Sequence, residues 1–203
     1  MLRRLFWIRQ IGYIKEKGWI AIIQLSFKLL QLVIESIVIF LVVPIILVLR
    51  VISPFVWIRF GAIRSDVIGH SVFDPEYYLC EREIKKSKTL DCFYFLTKNI
   101  PNEYWAKIVK RHLRVNPIFR FFDKANKLIY GGKYLRKNTH DFGGRDLRGY
   151  VAHSKPHFRF TDEENLMGIE FLESLGMDSK DKFVCLIIRD NAYKEKYQKW
   201  INH

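Results

Sequence analysis

The sequence predicts an α/β domain preceded by a hydrophobic helical membrane segment. After residue 50, apolar runs typical of strands alternate with amphipathic helical patterns, which indicates a parallel sheet with helices on its faces. Before residue 50, the chain is nearly uncharged over a stretch long enough to cross a bilayer. We therefore predict a basic tail and membrane anchor over 1–50 and an α/β lobe over 51–180.

The anchor is predicted from length and hydropathy. The segment Leu29–Leu49 has 17 apolar residues among 21 and would extend about 31 Å as a helix, close to the thickness of a bilayer core. A buried core helix is the alternative. Glu35 and Pro44 argue against a simple straight span. The positive charge before the run would place the bulk of a single-span protein outside the cell, whereas the free thiols favour the cytoplasm. A kinked hairpin or an interfacial anchor with both ends in the cytoplasm removes this conflict and is preferred. The tail Met1–Gly18 carries net charge +4 and suits contact with anionic lipid headgroups.

The predicted elements of the lobe follow in order. A buried strand is expected over Pro54–Phe60, closed by Gly61, and a helix begins at Asp74, which caps it, with Pro75 at the first helical position. Residues 133–155 are predicted as loop with one short strand at most. The remaining elements are a strand over Thr89–Leu96, helices over Pro101–Leu113 and Pro117–Tyr130, a helix from the T-D-E-E capping box at Thr161 to Gly176, and a strand over Lys182–Arg189.

Composition narrows the class of partner. The chain has 203 residues, and its 34 basic against 21 acidic side chains leave a net charge of +13, which favours anionic partners. The basic residues form no helix-turn-helix, zinc-finger or aromatic RNA-binding signature, so no nucleic acid partner is predicted. The three cysteines are scattered without a C-x-x-C pair, which predicts neither a disulfide framework nor a zinc ribbon and favours a reducing compartment.

Two loops that follow predicted strands are candidate ligand sites, because ligands of open α/β sheets bind beyond the carboxyl ends of the strands. The first runs from Arg59 to His70, where Gly61 and Gly69 permit close backbone approach. His70 is a general base there or, equally, a structural histidine. The second loop follows the last strand, and its candidate residues are Arg189, which suits a phosphate or carboxylate, Asp190 and Tyr193.

Other candidates carry weaker signals. Arg145 and Asp146 lie in a glycine-flanked loop that lines a cleft or forms a solvated turn. Pro156 separates His153 from His157 and excludes a regular helical metal pair, so no metal site is predicted.

Several motifs together resemble a family of bacterial glycosyltransferases over about residues 50–197. They are I-R-F-G at 58–61, I-G-H at 68–70, Y-L-C-E-R at 78–82, T-L-D at 89–91, F-T-D-E-E at 160–164 and F-V-C-L-x-x-R-D-x-x-Y at 183–193. The resemblance implies two Rossmann-like lobes facing across a cleft. This chain would supply the N-terminal lobe, and 181–203 would begin the second, donor-binding lobe.

The resemblance also implies roles for single residues. Arg189 would contact the donor diphosphate, supported by Asp190 and Tyr193. Gly69 and His70 would line the cleft on the acceptor side, with His70 catalytic, and Arg59, Gly61, Arg145 and Asp146 are further candidates for the cleft wall. Ile187 departs from the family pattern, which has a histidine two residues before the arginine, and the chain ends at His203, where the second lobe should begin.

The predicted function is transfer of a sugar from a nucleotide sugar to a cell-surface polysaccharide or lipid-linked acceptor at the cytoplasmic face of a membrane. The predicted partners are membrane lipid, the nucleotide sugar and the acceptor. The second lobe would come from the rest of a longer chain or from a separate partner chain. No cofactor is expected. The alternative is a non-catalytic, membrane-anchored interaction protein that keeps the scaffold of such an enzyme.

Overall fold

The computed structural model describes residues 18–98, 100–139, 145–178, 181, 182 and 184. The chain divides into two compact units, and the second begins at Phe160. In chain order the elements are α1 (Trp19–Val51), β1 (Ile58–Ile63), α2 (Ile68–Ile84), β2 (Leu90–Phe95), α3 (Glu103–His112), β3 (Arg114–Val115), α4 (Phe119–Leu128), a 3-10 helix (Gly132–Leu135) and α5 (Asp162–Ser174).

The α1 helix is long and apolar enough to cross a membrane. Its 33 residues run without a break through Pro44, so the predicted kinked hairpin is wrong. At about 1.5 Å per residue the helix is about 50 Å long, well beyond the thickness of a bilayer core. Ser53 and Val56 lie in the turns that follow it.

The sheet has three parallel strands in the order β1–β2–β3. Ile58 of β1 pairs with Leu90 of β2, and the register continues to Ile63 and Phe95. The helices α2 and α3 form the two crossovers, as the alternating sequence pattern predicts. The mixed α/β class of the first unit is therefore confirmed.

The first strand lies further along the chain than predicted. Residues 52–56 form turns in which the backbone N–H groups of Phe55 and Val56 donate to the carbonyl of Ile52. The extended conformation of the strand therefore begins only after these turns. The strand consequently includes Arg59 and Gly61, which the sequence placed at its end and in the following loop.

The predicted start of α2 at Asp74 is also wrong, because the helix begins at Ile68 and contains Pro75 in its interior. Proline has no N–H, so its presence leaves the Ser71 carbonyl without its helical donor. The indole Nε1 of Trp105, on α3, donates to that carbonyl at 2.8 Å. A contact between two distant segments thus satisfies the group that Pro75 leaves open.

Helices cover both faces of the sheet. On one face, Phe60 and Cys92 pack with Ala125 of α4 and with Val42 and Ile46 of α1. On the other face, a second buried cluster joins the sheet to α2 and α3, and its members are Ile63, Tyr78, Phe93, Val109 and Leu113. The C-terminal half of α1 is therefore part of the α/β core, and the core crosses the predicted boundary at residue 50.

Polar contacts hold α1 on α4. Glu35 forms an ion pair with Lys124, and Arg50 donates to the side chain of Asn126 at 2.9 Å and to the carbonyl of Tyr130. These contacts lie at both ends of the docked half of α1 and fix its position along α4.

Residues 136–139, predicted as loop, run alongside the free edge of β1. Lys137 and Thr139 donate to the carbonyls of Phe60 and Ala62 at 3.0 and 3.2 Å. Gly61 permits this approach, because a Cβ at that position would lie 1.7 Å from the Lys137 carbonyl oxygen. The short strand β3 and the 3-10 helix complete this unit, and neither was predicted at its observed position.

In the second unit, α5 begins at the predicted capping box. Thr161 accepts from the backbone N–H of Glu164, and the Glu164 carboxylate accepts from the backbone N–H of Thr161. None of the residues of α5 is buried. The predicted strand over 182–189 falls almost entirely on residues outside the described part of the chain, as do Arg189, Asp190 and Tyr193.

Candidate functional site

The carboxyl edge of the sheet gathers polar side chains from two chain segments. Arg64, Ser65 and Asp66 follow β1, and Thr97 follows β2. Since the strands are parallel, both segments leave the sheet at the same edge. Ser65 Oγ accepts the backbone N–H of Thr97 at 3.2 Å and lies 3.2 Å from its hydroxyl, which ties the two segments together.

His70 lies in the first turn of α2, directly beyond this edge. Its Nδ1 is 3.1 Å from Oδ2 of Asp74, one helical turn further along, and the Asp74 side chain is buried. The sequence predicts Asp74 as a helix cap, whereas the structure makes it the partner of His70. With Nδ1–H donating to a buried carboxylate, Nε2 is the nitrogen that accepts a proton.

Arg64 lies against that second nitrogen. Its Nη1 is 3.1 Å from His70 Nε2, and its Nε donates to Oδ1 of Asp66 at 3.1 Å. The Arg64 side chain is one-third exposed. The edge therefore presents a cation and an imidazole held in one tautomer by a carboxylate, which is a pair able to bind an anion and accept a proton.

Gly69 leaves the approach to His70 open. A Cβ at this position would have no heavy atom within 4 Å, and the Val67 side chain makes no capping hydrogen bond to the start of α2. The backbone N–H groups of the first helical turn point out of the helix and attract negative charge. Gly69 and His70 thus lie together at an accessible helix start, whereas the sequence analysis placed them in the loop before the helix.

Arg59 lies at the opposite, amino-terminal end of β1 and does not join this edge. Its guanidinium makes two hydrogen bonds to Asp91, at 2.7 and 2.8 Å, and a third to the hydroxyl of Thr89 at 2.9 Å. The Tyr78 hydroxyl also donates to Asp91. This buried network connects α2 to the first two strands.

The network shifts the pKa values of its members. Burial acts to raise the pKa of Asp91, but hydrogen bonds from Arg59, Tyr78 and Thr89 outweigh it and hold that pKa below its usual range. Burial and the Asp91 charge raise the pKa of Tyr78. For Arg59, burial opposes the charged form, and the Asp91 carboxylate more than compensates, so its pKa is raised. The Asp91–Arg59 pair therefore remains ionised at neutral pH.

A pocket beside this network is lined mainly by charged residues, of which the sequence analysis proposed only Arg59 as a site residue. Glu81 receives Lys85 at 2.6 Å and Lys137 at 2.5 Å, and these contacts outweigh burial and lower the pKa of Glu81. Glu81 and Lys85 are four residues apart on one helix, and this spacing is the sequence signal that could have identified the Glu81–Lys85 ion pair. The pocket is lined by Arg59, Tyr78, Glu81, Arg82, Lys85, Ser87 and Lys137.

The other predicted cleft residues, Gly61, Arg145 and Asp146, do not lie at the carboxyl edge of the sheet. Gly61 is inside β1, against residues 137 and 138. Arg145 is exposed, and the Asp146 carboxylate accepts from the backbone N–H groups of Tyr150 and Val151 at 2.8 and 3.0 Å, so it organises its own turn. Of the predicted residues that the structure describes, only Gly69 and His70 lie together at the carboxyl edge of the sheet.

Sequence reasoning also missed a contact between α2 and the segment that ends the first unit. Glu76 and Cys80 of α2 lie beside His157, which is 77 residues beyond Cys80. His153, the other histidine of that segment, contacts the carbonyl of Gly149 in its own turn. A separation of this length leaves no local pattern in the sequence.

The chain matches no protein-family model, no curated protein and no solved structure. The resemblance to bacterial glycosyltransferases therefore stays a prediction that depends on the motifs of this sequence.

Proposed function

We propose that this chain is a membrane-attached, Rossmann-like lobe of a glycosyltransferase, with His70 on the acceptor side of the active site. The observation that carries the proposal is the His70–Asp74 pair at the carboxyl edge of a parallel sheet. That edge is where open α/β sheets bind their ligands, and His70 is the last residue of the I-G-H motif of the proposed family.

The chemistry of sugar transfer needs a base for the acceptor hydroxyl and positive charge for the departing diphosphate. His70 Nε2 is the base, and the Asp74 carboxylate holds the ring in the tautomer that leaves Nε2 able to accept the proton. Arg64 Nη1 lies 3.1 Å from Nε2. On donor binding, its partly exposed guanidinium turns to the diphosphate and frees Nε2 for the acceptor.

The membrane segment supports the class of acceptor. The apolar surface of α1 would hold the lobe at the cytoplasmic face, where lipid-linked and surface-polysaccharide precursors present their hydroxyl groups. Donor contacts by Arg189, Asp190 and Tyr193 are part of the same proposal, and those residues lie outside the described part of the chain. The second lobe would come from the remainder of the enzyme or from a separate chain.

The test is sugar transfer by the full gene product in its native membranes, with UDP-, GDP- and CMP-sugars offered in turn. We expect His70→Gln to lower kcat by about 100-fold or more while the KM for the donor is unchanged. His153→Gln is the matched control, because His153 contacts only its own turn among the contacts described, and it should leave kcat unchanged. Equal rates for His70→Gln and the wild type would exclude His70 as the base.

One observation favours the alternative, a non-catalytic membrane-anchored interaction protein. Arg64 contacts the nitrogen of His70 that a base requires, so the cluster is also stable as a purely structural arrangement. Such a protein would transfer no sugar from any of the three donor classes, and none of them would raise its thermal stability.

A further inference from the structure

Three potential metal ligands from two distant segments meet beside α2, away from the carboxyl edge of the sheet. Glu76 and Cys80 are one helical turn apart on the same face of α2, and His157 reaches them from an extended segment. The Sγ atom of Cys80 is 3.8 Å from Oε1 of Glu76 and 3.8 Å from Nδ1 of His157. His157 Nδ1 is 3.0 Å from Glu76 Oε1.

These separations match those of a small tetrahedral centre. With zinc–ligand bonds of about 2.0 Å to nitrogen and oxygen and about 2.3 Å to sulfur, tetrahedral ligand atoms lie about 3.3 to 3.5 Å apart. The three observed distances bracket that range, so shifts of a few tenths of an ångström would place all three atoms around one ion.

The outer partner of His157 is also the one that a metal-bound histidine requires. Its Nε2 lies 3.1 Å from a carboxylate oxygen of Glu83, which orients the ring with Nδ1 toward Glu76 and Cys80. The other ring nitrogen, Nδ1, thus lies on the side of the Glu76 carboxylate and the Cys80 sulfur, where all three ligand atoms can reach one ion.

The surroundings shield the sulfur and leave the other ligands accessible. Cys80 is buried, whereas the side chains of Glu76 and His157 are about one-fifth exposed. The Ser154 hydroxyl lies beside the thiol, and its oxygen is buried with no further hydrogen-bond partner among the described residues. A metal ion could therefore enter from the solvent side past Glu76 and His157 and bind the Cys80 sulfur, which is shielded from water.

We propose that Glu76, Cys80 and His157 form a binding site for a thiophilic divalent cation, best matched by Zn²⁺, with a fourth position open to water. One sulfur and one imidazole nitrogen exclude Mg²⁺ and Ca²⁺, which take oxygen ligands. The ion joins α2 to the segment around His157 and acts as a structural cross-link. The site does not depend on the proposed sugar transfer, because its three ligands are not among the residues to which that proposal gives a role.

The test is a titration of the purified full chain, stripped with a chelator, with Co²⁺ as a spectroscopic substitute for Zn²⁺. We expect one Co²⁺ per chain and a thiolate-to-cobalt charge-transfer band, and Zn²⁺ should displace the cobalt and raise the Tm. Cys80→Ser should abolish the band, whereas Cys92→Ser and Cys185→Ser should retain it. Absence of the band in the wild type, or its persistence in Cys80→Ser, would overturn the proposal.

A second pair of variants keeps the proposal testable if Cys80→Ser does not fold. His157→Gln should lose Co²⁺ binding, and Glu83→Gln should weaken it by about tenfold while the charge-transfer band persists at saturating metal, because Glu83 acts through His157. His153→Gln is the control for both. Unchanged Co²⁺ affinity in His157→Gln would show that His157 is not a ligand.

Discussion

Asp91 shows how one buried charge is stabilised in this protein. Its side chain is 1% exposed and accepts hydrogen bonds from Arg59 of β1, Thr89 just before β2 and Tyr78 of α2. These donors offset the cost of burying the carboxylate. Removal of the charge would leave the Arg59 guanidinium without its main partner in a largely buried position.

We therefore predict that Asp91→Asn lowers the free energy of unfolding by about 3 kcal/mol. This is the lower end of the range for breaking a buried ion pair, because Arg59 keeps some contact with solvent. Urea denaturation of the full chain in detergent would measure the change. Glu170→Gln, at an exposed position of α5, is the control and should change the free energy by less than about 0.5 kcal/mol.

The lowered pKa values of Asp91 and Glu81 predict the direction of the pH dependence. A carboxyl whose pKa is lower in the folded state contributes its full stability above the unfolded-state pKa of about 4, and that contribution is lost as the pH falls through the folded-state value. The Tm should therefore fall as the pH drops below about 4. A smaller acid-induced loss in Asp91→Asn would assign part of the effect to Asp91, and a Tm that rises on acidification would contradict it.

The predicted site illustrates which residue contacts are visible in a sequence. His70 could be placed after the first strand because a histidine beside a glycine in that loop is a local signal. The assignment of Asp74 as a cap was wrong because an Asp-Pro pair is expected at a helix start, and the sequence does not show that this proline lies inside a helix. The difference depends on Trp105, which donates to the Ser71 carbonyl from a distant helix.

Among the elements, α1 has two different surroundings along its length. Its C-terminal half packs on α4 and β1, with Ile46 fully buried, whereas most residues of its N-terminal half are exposed. A continuous apolar run has the same composition whether lipid or protein covers it, so the sequence could predict the helix but not this division.

We predict that Ile46→Ala lowers the free energy of unfolding by about 2–4 kcal/mol, because it removes buried methyl groups and leaves a cavity between α1 and the sheet. Ile45→Ala is the matched control. The Ile45 side chain is next in sequence and 46% exposed, so its truncation should lower the free energy of unfolding much less. Equal effects of the two substitutions, measured by denaturation in the same detergent, would contradict the docking of α1.

Other elements were predictable in proportion to their local signals. The capping box of α5 identifies its start without help from the rest of the chain. The strand β1 was displaced because the residues from Pro54 are as apolar as the strand itself, and only the turns after α1 exclude them. The pairing of residues 136–139 with β1 depends on Gly61, whose significance emerges only when the two segments meet.

For the whole molecule, the exposed apolar residues of α1 are the surface best suited to lipid. Leu29, Leu30 and Val33 are about half exposed or more, and they lie beyond the half of α1 that contacts the sheet and α4. Val42 and Ile46 of the same helix are buried in the core, so a bilayer around the exposed part of α1 would hold the sheet close to its surface.

We predict that simultaneous Gln substitution of Leu29, Leu30 and Val33 moves the protein from the membrane pellet to the soluble fraction, because it removes apolar area from the lipid-facing surface. The control is the triple Gln variant of Leu166, Met167 and Leu175, which are equally exposed in the second unit. The control should stay in the pellet. Retention of both variants in the pellet would place the membrane contact elsewhere.

The measurement that tests the central claim most directly is the thermal stability of the full gene product, in detergent, with nucleotide sugars. A ligand that binds only the folded state stabilises it by about 2.7 kcal/mol at 100 times its Kd. An enzyme of the proposed class should show a higher Tm with one class of UDP-, GDP- or CMP-sugar and a smaller shift with the matching free nucleotide. An unchanged Tm with all three classes would contradict the glycosyltransferase account and favour the interaction protein.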